Sequence, residues 1–181
     1  MNSSQHFHAS FATFATFASR VVFRVGRRFD VSPPPVDHPF AGRPRVMVVD
    51  DNAVNRLNLE RLLWRKGIKP MHAADGAEAV ALACSQHFDL ILMDIQMPIL
   101  DGLTASVQIR RHEYAQGQPN APIVAYTAGA VADDEETLRA CGIDDSLEKP
   151  CTADSLEHCL LRWCTDASRH VRSAWRLTEA V

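Results

Sequence analysis

Asp89-Leu-Ile-Leu-Met-Asp-Ile-Gln-Met-Pro-Ile-Leu-Asp-Gly102 is the stretch on which the architecture turns. Leu90 to Met93 form an unbroken apolar run, the pattern of a strand covered on both faces rather than on one. The run stops at Asp94, and Pro98 cannot donate to a ladder, so the strand ends there. A carboxylate thus stands at the carboxyl end of a buried strand, where open parallel α/β sheets bind their ligands. Alone, such an acid is as well explained by a helix cap. Upstream, Arg45-Val-Met-Val-Val-Asp-Asp51 repeats the arrangement and ends in the adjacent pair Asp50 and Asp51.

Strands and helices alternate outward from these two runs. A helix is expected from Asn52 or Ala53 to Lys66, with Val54, Leu57, Leu59, Leu62 and Leu63 apolar and Gly67 at its end. Ile68 to Ala73 reads as a weak strand, and Pro70 within it places it at a sheet edge. Asp75-Gly-Ala-Glu78 has capping-box spacing and opens a second helix carrying Ala79, Val80 and Ala83 inward. After the Asp94 strand come a helix from about Leu103 to His112 and a polar loop from Glu113 to Ala121. Pro122 to Thr127 is a fourth strand, Val131 to Cys141 a helix closed by Gly142, and Ile143 to Glu148 a fifth strand. Thr152 caps a last helix with Leu156, Cys159, Leu160 and Trp163 at i, i+3, i+4 and i+7. Five βα units with right-handed crossovers imply a doubly wound five-stranded parallel sheet between two helical layers.

Residues 1–44 differ from all this. Phe11-Ala-Thr, Phe14-Ala-Thr and Phe17-Ala-Ser form a short repeat, and no acid precedes Asp30. Phe7, Phe11, Phe14, Ala18, Val21 and Val25 recur at helical spacing beside Arg20, Arg24, Arg27 and Arg28. An amphipathic helix touching a membrane surface or a partner would look like this. A disordered extension is the preferred reading, because an isolated helix this short is marginal in water. Ser32 to Pro39, with three consecutive prolines, is a stiff linker. The expected organisation is therefore an extension and linker over 1–44, one domain over 45–165, and a tail over 166–181.

Bulk properties exclude more than they assert. The formal net charge of −3 gives no electrostatic basis for nucleic-acid binding. No stretch approaches the roughly 20 apolar residues of a membrane span. Five cysteines show no CxxC pair and no even disulfide count, which points to free thiols and a cytoplasmic setting.

Asp50, Asp51, Asp94, Thr127 and Lys149 all fall at carboxyl ends of expected strands. Each alone has an ordinary explanation: a turn or cap for the acid pair, a strand end for the threonine, a solvated surface for the lysine. Together they converge on one rim. Crowded carboxylates repel, and a proton or a divalent cation must relieve that. Oxygen-only ligands suit Mg²⁺, which favours phosphate-bearing partners. A lysine and a hydroxyl complete a place for a phosphoryl group, and a carboxylate within it can act as nucleophile.

Val48-Val-Asp-Asp-Asn52, Met93-Asp-Ile-Gln-Met-Pro98 with Asp101-Gly102, Ala125-Tyr-Thr-Ala128 and Glu148-Lys-Pro150 resemble the receiver domain of two-component response regulators. The flavour is that of receivers attached to hybrid histidine kinases. The resemblance implies a flavodoxin-like fold with strand order 2-1-3-4-5 and a phosphoacceptor rather than a dedicated enzyme. It implies that Asp94 takes phosphate from a histidine kinase or histidine phosphotransfer protein and that a downstream effector protein reads the result. Asp51, Asp94 and the Gln96 carbonyl would hold Mg²⁺, with Asp50 acting through a water on the metal. Thr127 and Lys149 would meet the phosphoryl group. Two positions depart from the pattern: Ser146 stands where many receivers carry a switch aromatic, and Tyr126 where most carry an aliphatic residue. The competing reading is an Mg²⁺-dependent phosphohydrolase of the haloacid dehalogenase type. That chemistry needs an acid two residues after the nucleophile, where this chain has Gln96. A flavin-phosphate binder is a third reading, but Asp50 and Asp51 would repel the phosphate.

The compositional break predicts that the first 40 residues are dispensable. A chain beginning at Gly42 should fold, by circular dichroism, and match the full chain in phosphorylation rate within about twofold, a change of under 1 kcal/mol. Insolubility of the shortened chain would show instead that the Phe-rich stripe packs on the domain.

Overall fold

Strand β3, Leu90–Asp94, is buried along its whole length, as a run of large apolar side chains with no polar alternation requires. The structure, a computed structural model, describes residues 43–128 and 135–165. Strand β1, Val46–Val49, lies on one side of β3 and β4, Ile123–Thr127, on the other. Outside them lie β2, Met71–Ala73, against β1 and β5, Asp145–Glu148, against β4. All four pairings are parallel, and the order is β2-β1-β3-β4-β5. The expected order and the edge position of the second strand are both found, but β2 starts at Met71, and Pro70 precedes it instead of lying within it.

Helices cover the two faces: α1 (Ala53–Arg65), α2 (Gly76–Ser85), α3 (Gly102–Ala115), α4 (Glu135–Ala140) and α5 (Ala153–Cys164). Alternation along the strands sorts the core into two layers. Val46, Val48, Leu90, Leu92, Val124, Tyr126 and Leu147 pack with Leu59 and Leu63 of α1 and Leu156 and Leu160 of α5. Met47, Val49, Ile91, Met93, Ile123 and Ala125 pack with Ala79 of α2, Ala105 and Ile109 of α3, and Leu138 of α4. Each large side chain so buried contributes about 1.5–3 kcal/mol. Among the described residues no helix is long and apolar enough to cross a membrane, and all five cysteines are free thiols.

Several local expectations are corrected. Val54 and Leu57 do not face the core; they are exposed. At about 100° per residue they lie far round α1 from Leu59 and Leu63, and only one stripe of a helix can reach the sheet. Helix α3 continues through Glu113, which is buried rather than in a loop. Its carboxylate accepts from Arg110 at 2.6 Å and from the Ala121 N–H at 2.7 Å, so the acid is satisfied inside. Strand β5 begins at Asp145, and Ile143 is buried in the turn before it. Residues 1–42, 131–134 of the fourth helix, and the tail from 166 lie outside the described residues.

Gly102 sets how tightly the loop after β3 closes. Its N–H donates to the Ile95 carbonyl at 2.9 Å, and a Cβ there would meet the Asp94 carbonyl oxygen at 2.1 Å. Replacing a helical glycine by alanine ordinarily stabilises by about 1 kcal/mol. Here the sign should reverse: Gly102→Ala is expected to lose about 2 kcal/mol in urea unfolding, because the clashing atoms are backbone and cannot rotate away. A raised midpoint would contradict this geometry.

Candidate functional site

Residues paired across a parallel sheet share a face, so the register decides what the strand ends bring together. Val48 pairs with Leu92, Leu92 with Val124, and Tyr126 with both Asp94 and Leu147. Two residues on from Val48, Leu92 and Leu147 stand Asp50, Asp94 and Lys149. All three therefore emerge on the face carrying α1 and α5.

The three meet directly. Lys149 Nζ lies 2.8 Å from Asp50 Oδ2 and 2.7 Å from Asp94 Oδ2. Asp50 is wholly buried, and Asp94 nearly so. Asp50 also accepts the Asn52 N–H at 2.8 Å and the Asn55 amide at 3.0 and 3.2 Å. Asp94 accepts the Gln96 N–H at 3.3 Å. Burial lifts the Asp94 carboxyl above 3.8, against the opposing hydrogen bond from Lys149. For Lys149 burial is the largest influence and lowers its proton affinity. The hydrogen bonds to Asp50 and Asp94 outweigh it and hold the ammonium above 10.5.

Asp51 is exposed, yet one carboxylate oxygen from each of Asp50, Asp51 and Asp94 lies within 4.8 Å of the others. Three anionic oxygens so close, with a solvent-facing side, suit a hard divalent cation that keeps some of its waters. Gln96 is exposed on the same rim. Thr127 ends β4, half-buried, and its carbonyl accepts the Lys149 N–H at 2.7 Å. Asp50, Asp94 and Lys149 are thus joined by ion pairs, Gln96 to Asp94 and Lys149 to Thr127 by backbone N–H groups, while the Asp51 carboxylate stands within 4.8 Å of the other two acids. The Lys149–Pro150 peptide bond is cis. Asp101, by contrast, caps α3 through the Thr104 N–H at 2.8 Å, a hydrogen bond that holds its carboxyl below 3.8.

Two contributors were not among the expected residues. Asn55 lies four residues before Leu59 on the stripe of α1 that faces the sheet, and it holds the Asp50 carboxylate. A polar residue on an apolar stripe was the available signal. Arg56 donates to the carbonyls of Asp50 at 2.6 Å and Asp51 at 3.1 Å, fixing the acid turn from outside.

The model of the response regulator receiver domain matches residues 46–161. The chain belongs to the receiver family. This receiver is 39% identical over 144 residues to the sensor protein GacS of Pseudomonas syringae pv. syringae, covering 79% of this chain and 15% of that protein. The chain therefore spans a small part of that relative, itself a sensor protein. Its fold is similar to the receiver domain of sensor histidine kinase PA1611 from Pseudomonas aeruginosa, with a TM-score of 0.61 and 36% identity. That match covers 68% of this chain and 98% of the other, whose structure holds a magnesium ion in the active-site cleft. A TM-score of 0.63 at 32% identity relates it to the receiver domain of Ssk1 from Saccharomyces cerevisiae, solved with the phosphotransfer protein Ypd1. Coverage there is 68% of this receiver and 91% of that chain.

The ion triad generates a stability prediction. Without divalent cations, Lys149→Ala should destabilise the fold by about 3 kcal/mol, since it leaves two buried carboxylates facing each other. A lysine held above 10.5 contributes stability that is complete below 10.5 and is lost as pH rises through its folded value. The gap between wild type and Lys149→Ala, measured by denaturant unfolding, should therefore narrow above pH 10.5. A gap constant with pH would show that packing, not charge, carries it.

Proposed function

We propose that this receiver accepts a phosphoryl group on Asp94 from a phosphohistidine of a histidine kinase or histidine phosphotransfer protein. The direct ion pair between Lys149 and Asp94 carries the reading, because it sets a cation where phosphoryl oxygens would arrive. Asp50, Asp51, Asp94 and the Gln96 carbonyl would hold Mg²⁺, which when bound neutralises charge on the incoming phosphoryl group. An Asp94 oxygen attacks phosphorus, the P–N bond breaks, and its electron pair returns to the imidazole. Burial helps by keeping Asp94 poorly solvated, so little water must be stripped before attack. Lys149 then turns from the carboxylate to a phosphoryl oxygen, and the Thr127 hydroxyl donates to another. An effector protein would read the change through protein contacts in the cytoplasm, without direct nucleic-acid binding by this receiver.

The residues favour phosphoacceptance over hydrolytic turnover. An Mg²⁺-dependent phosphohydrolase of the haloacid dehalogenase kind places an acid two residues after its nucleophile, and Gln96 offers only an amide there.

Incubation with acetyl phosphate and Mg²⁺ should add one hydroxylamine-labile phosphate by intact mass. Asp94→Asn or chelation of the metal should cut the rate by about 100-fold or more, the scale of losing a reacting group. A labile phosphate on the Asp94→Asn protein would move the acceptor elsewhere. Steady release of phosphate from a small ester would favour the hydrolase.

A further inference from the structure

Tyr126 occupies a place in the site that an aliphatic residue could fill but not work. It is 3% exposed and sits between Asp94 and Leu147 in the sheet register, so its side chain shares their face. Lys149 Nζ lies 4.9 Å from the centre of its ring. The phenol oxygen accepts the backbone N–H of Cys151 at 3.4 Å. The ammonium therefore meets two carboxylates and one aromatic ring. An ammonium within about 6 Å of a ring centroid is drawn to the ring quadrupole, more so when partly desolvated. The lysine side chain is 14% exposed, which is that condition.

Both ends of the tyrosine act on the same short segment. The ring steadies the Lys149 ammonium, and the phenol oxygen holds the backbone two residues later, where β5 leads into α5. Lysine is a flexible stem with a point charge, costly to hold in one rotamer. An aliphatic side chain would supply packing, but neither a quadrupole nor an acceptor.

We propose that Tyr126 is a positioning residue for phosphoryl transfer, its ring aiming the Lys149 ammonium at Asp94 while its hydroxyl pins the turn at Cys151. The proposal rests on the phosphoacceptor reading of Asp94. Tyr126 itself touches no reacting atom. Its contribution runs through Lys149, and that distinguishes it from a tyrosine that only fills the core between β4 and α5.

The test uses the full chain as wild type, Tyr126→Phe, Tyr126→Leu and Lys149→Ala, plus the double variant Tyr126→Leu/Lys149→Ala. Acetyl phosphate is titrated with Mg²⁺ saturating, giving a maximal rate and a half-saturating donor concentration. Mg²⁺ affinity is measured separately by calorimetry without donor. Tyr126→Phe keeps the ring and should lose about threefold in maximal rate, while Tyr126→Leu should lose about tenfold. Mg²⁺ affinity should stay within about twofold in both, a difference of under 1 kcal/mol. In the Lys149→Ala background the leucine substitution should change the rate by less than about twofold.

The same four corners, wild type, both singles and the double, are unfolded in urea without metal. There the two single losses should sum to more than the double loss, a coupling that needs no phosphorylation to be seen. If Tyr126→Leu does not fold, Tyr126→Met takes its place in every arm. Equal slowing with and without Lys149, additive unfolding losses, or an unchanged rate in Tyr126→Leu would each overturn the proposal. Failure of wild type to gain phosphate on Asp94 would instead overturn the functional reading, and the unfolding cycle would still judge the contact.

Discussion

Two buried carboxylates and one ammonium set the terms for this receiver. Asp50 and Asp94 come from different strands and would repel at the distance the sheet imposes. Lys149, from a third, bridges them at 2.8 and 2.7 Å. Isolated, any one of these charges would be costly to remove from water. Paired, they form a buried knot with one carboxylate in excess of the single ammonium. The excess matters, because with the Asp51 carboxylate it leaves three acidic oxygens within 4.8 Å, a set that suits a cation, while burial leaves Asp94 reluctant to hold its charge. The parts of the sheet nearest the knot, the turn after β1, the loop after β3 and the turn after β5, are each tied down by backbone hydrogen bonds. Asp50 N–H reaches Ala73, Gly102 N–H reaches Ile95, and Lys149 N–H reaches Thr127.

The site is a property of the sheet register more than of any loop. Because side chains alternate between faces, a shift of one residue in β3 would turn Asp94 toward α3 and bring Met93 to the rim. Asp94 itself guards against that slip, since on the other face its carboxylate would be buried away from Lys149. Gly102 adds a second lock by letting the chain return within contact of the Asp94 carbonyl. Asn55 and Arg56 hold the acid turn from the first helix, so α1 is coupled to the chemistry by hydrogen bonds as well as by Leu59 and Leu63.

Tyr126 and Ser146 show how the same strands can serve different ends. Tyr126 pairs with Leu147 and packs with α1 and α5, while Ser146 pairs with Ala125 and is exposed. Alternation puts them on opposite faces, so the tyrosine cannot stand in for an aromatic at the serine position. Aromatic bulk has been placed on the lysine side of β4 rather than on the α4 side of β5. A serine there is exposed and buries little area on that face.

The alternation of elements, the parallel sheet and the rim of acids were legible in residue order, while the strand order followed from the resemblance to receiver domains. One apolar run ending in aspartate is as well explained by a helix cap, but Asp50, Asp94, Thr127 and Lys149 all fall at the ends of different strands. Helix boundaries and facing were less legible. Val54 and Leu57 look like core by type, and Glu113 looks like loop. Which stripe of α1 meets the sheet, and whether an acid finds Arg110 and a backbone N–H inside, depends on partners far away in the chain. The aiming of Lys149 was equally hidden. Its contacts with Asp50, Asp94 and Tyr126 join residues 23 to 99 positions apart, and only the packed sheet brings them within reach. Sequence determined which groups stand at the strand ends because local pattern and side-chain type decide where a strand stops. Tertiary structure decided which of them touch, because charge pairing and ring contact act over a few ångströms that no linear spacing specifies.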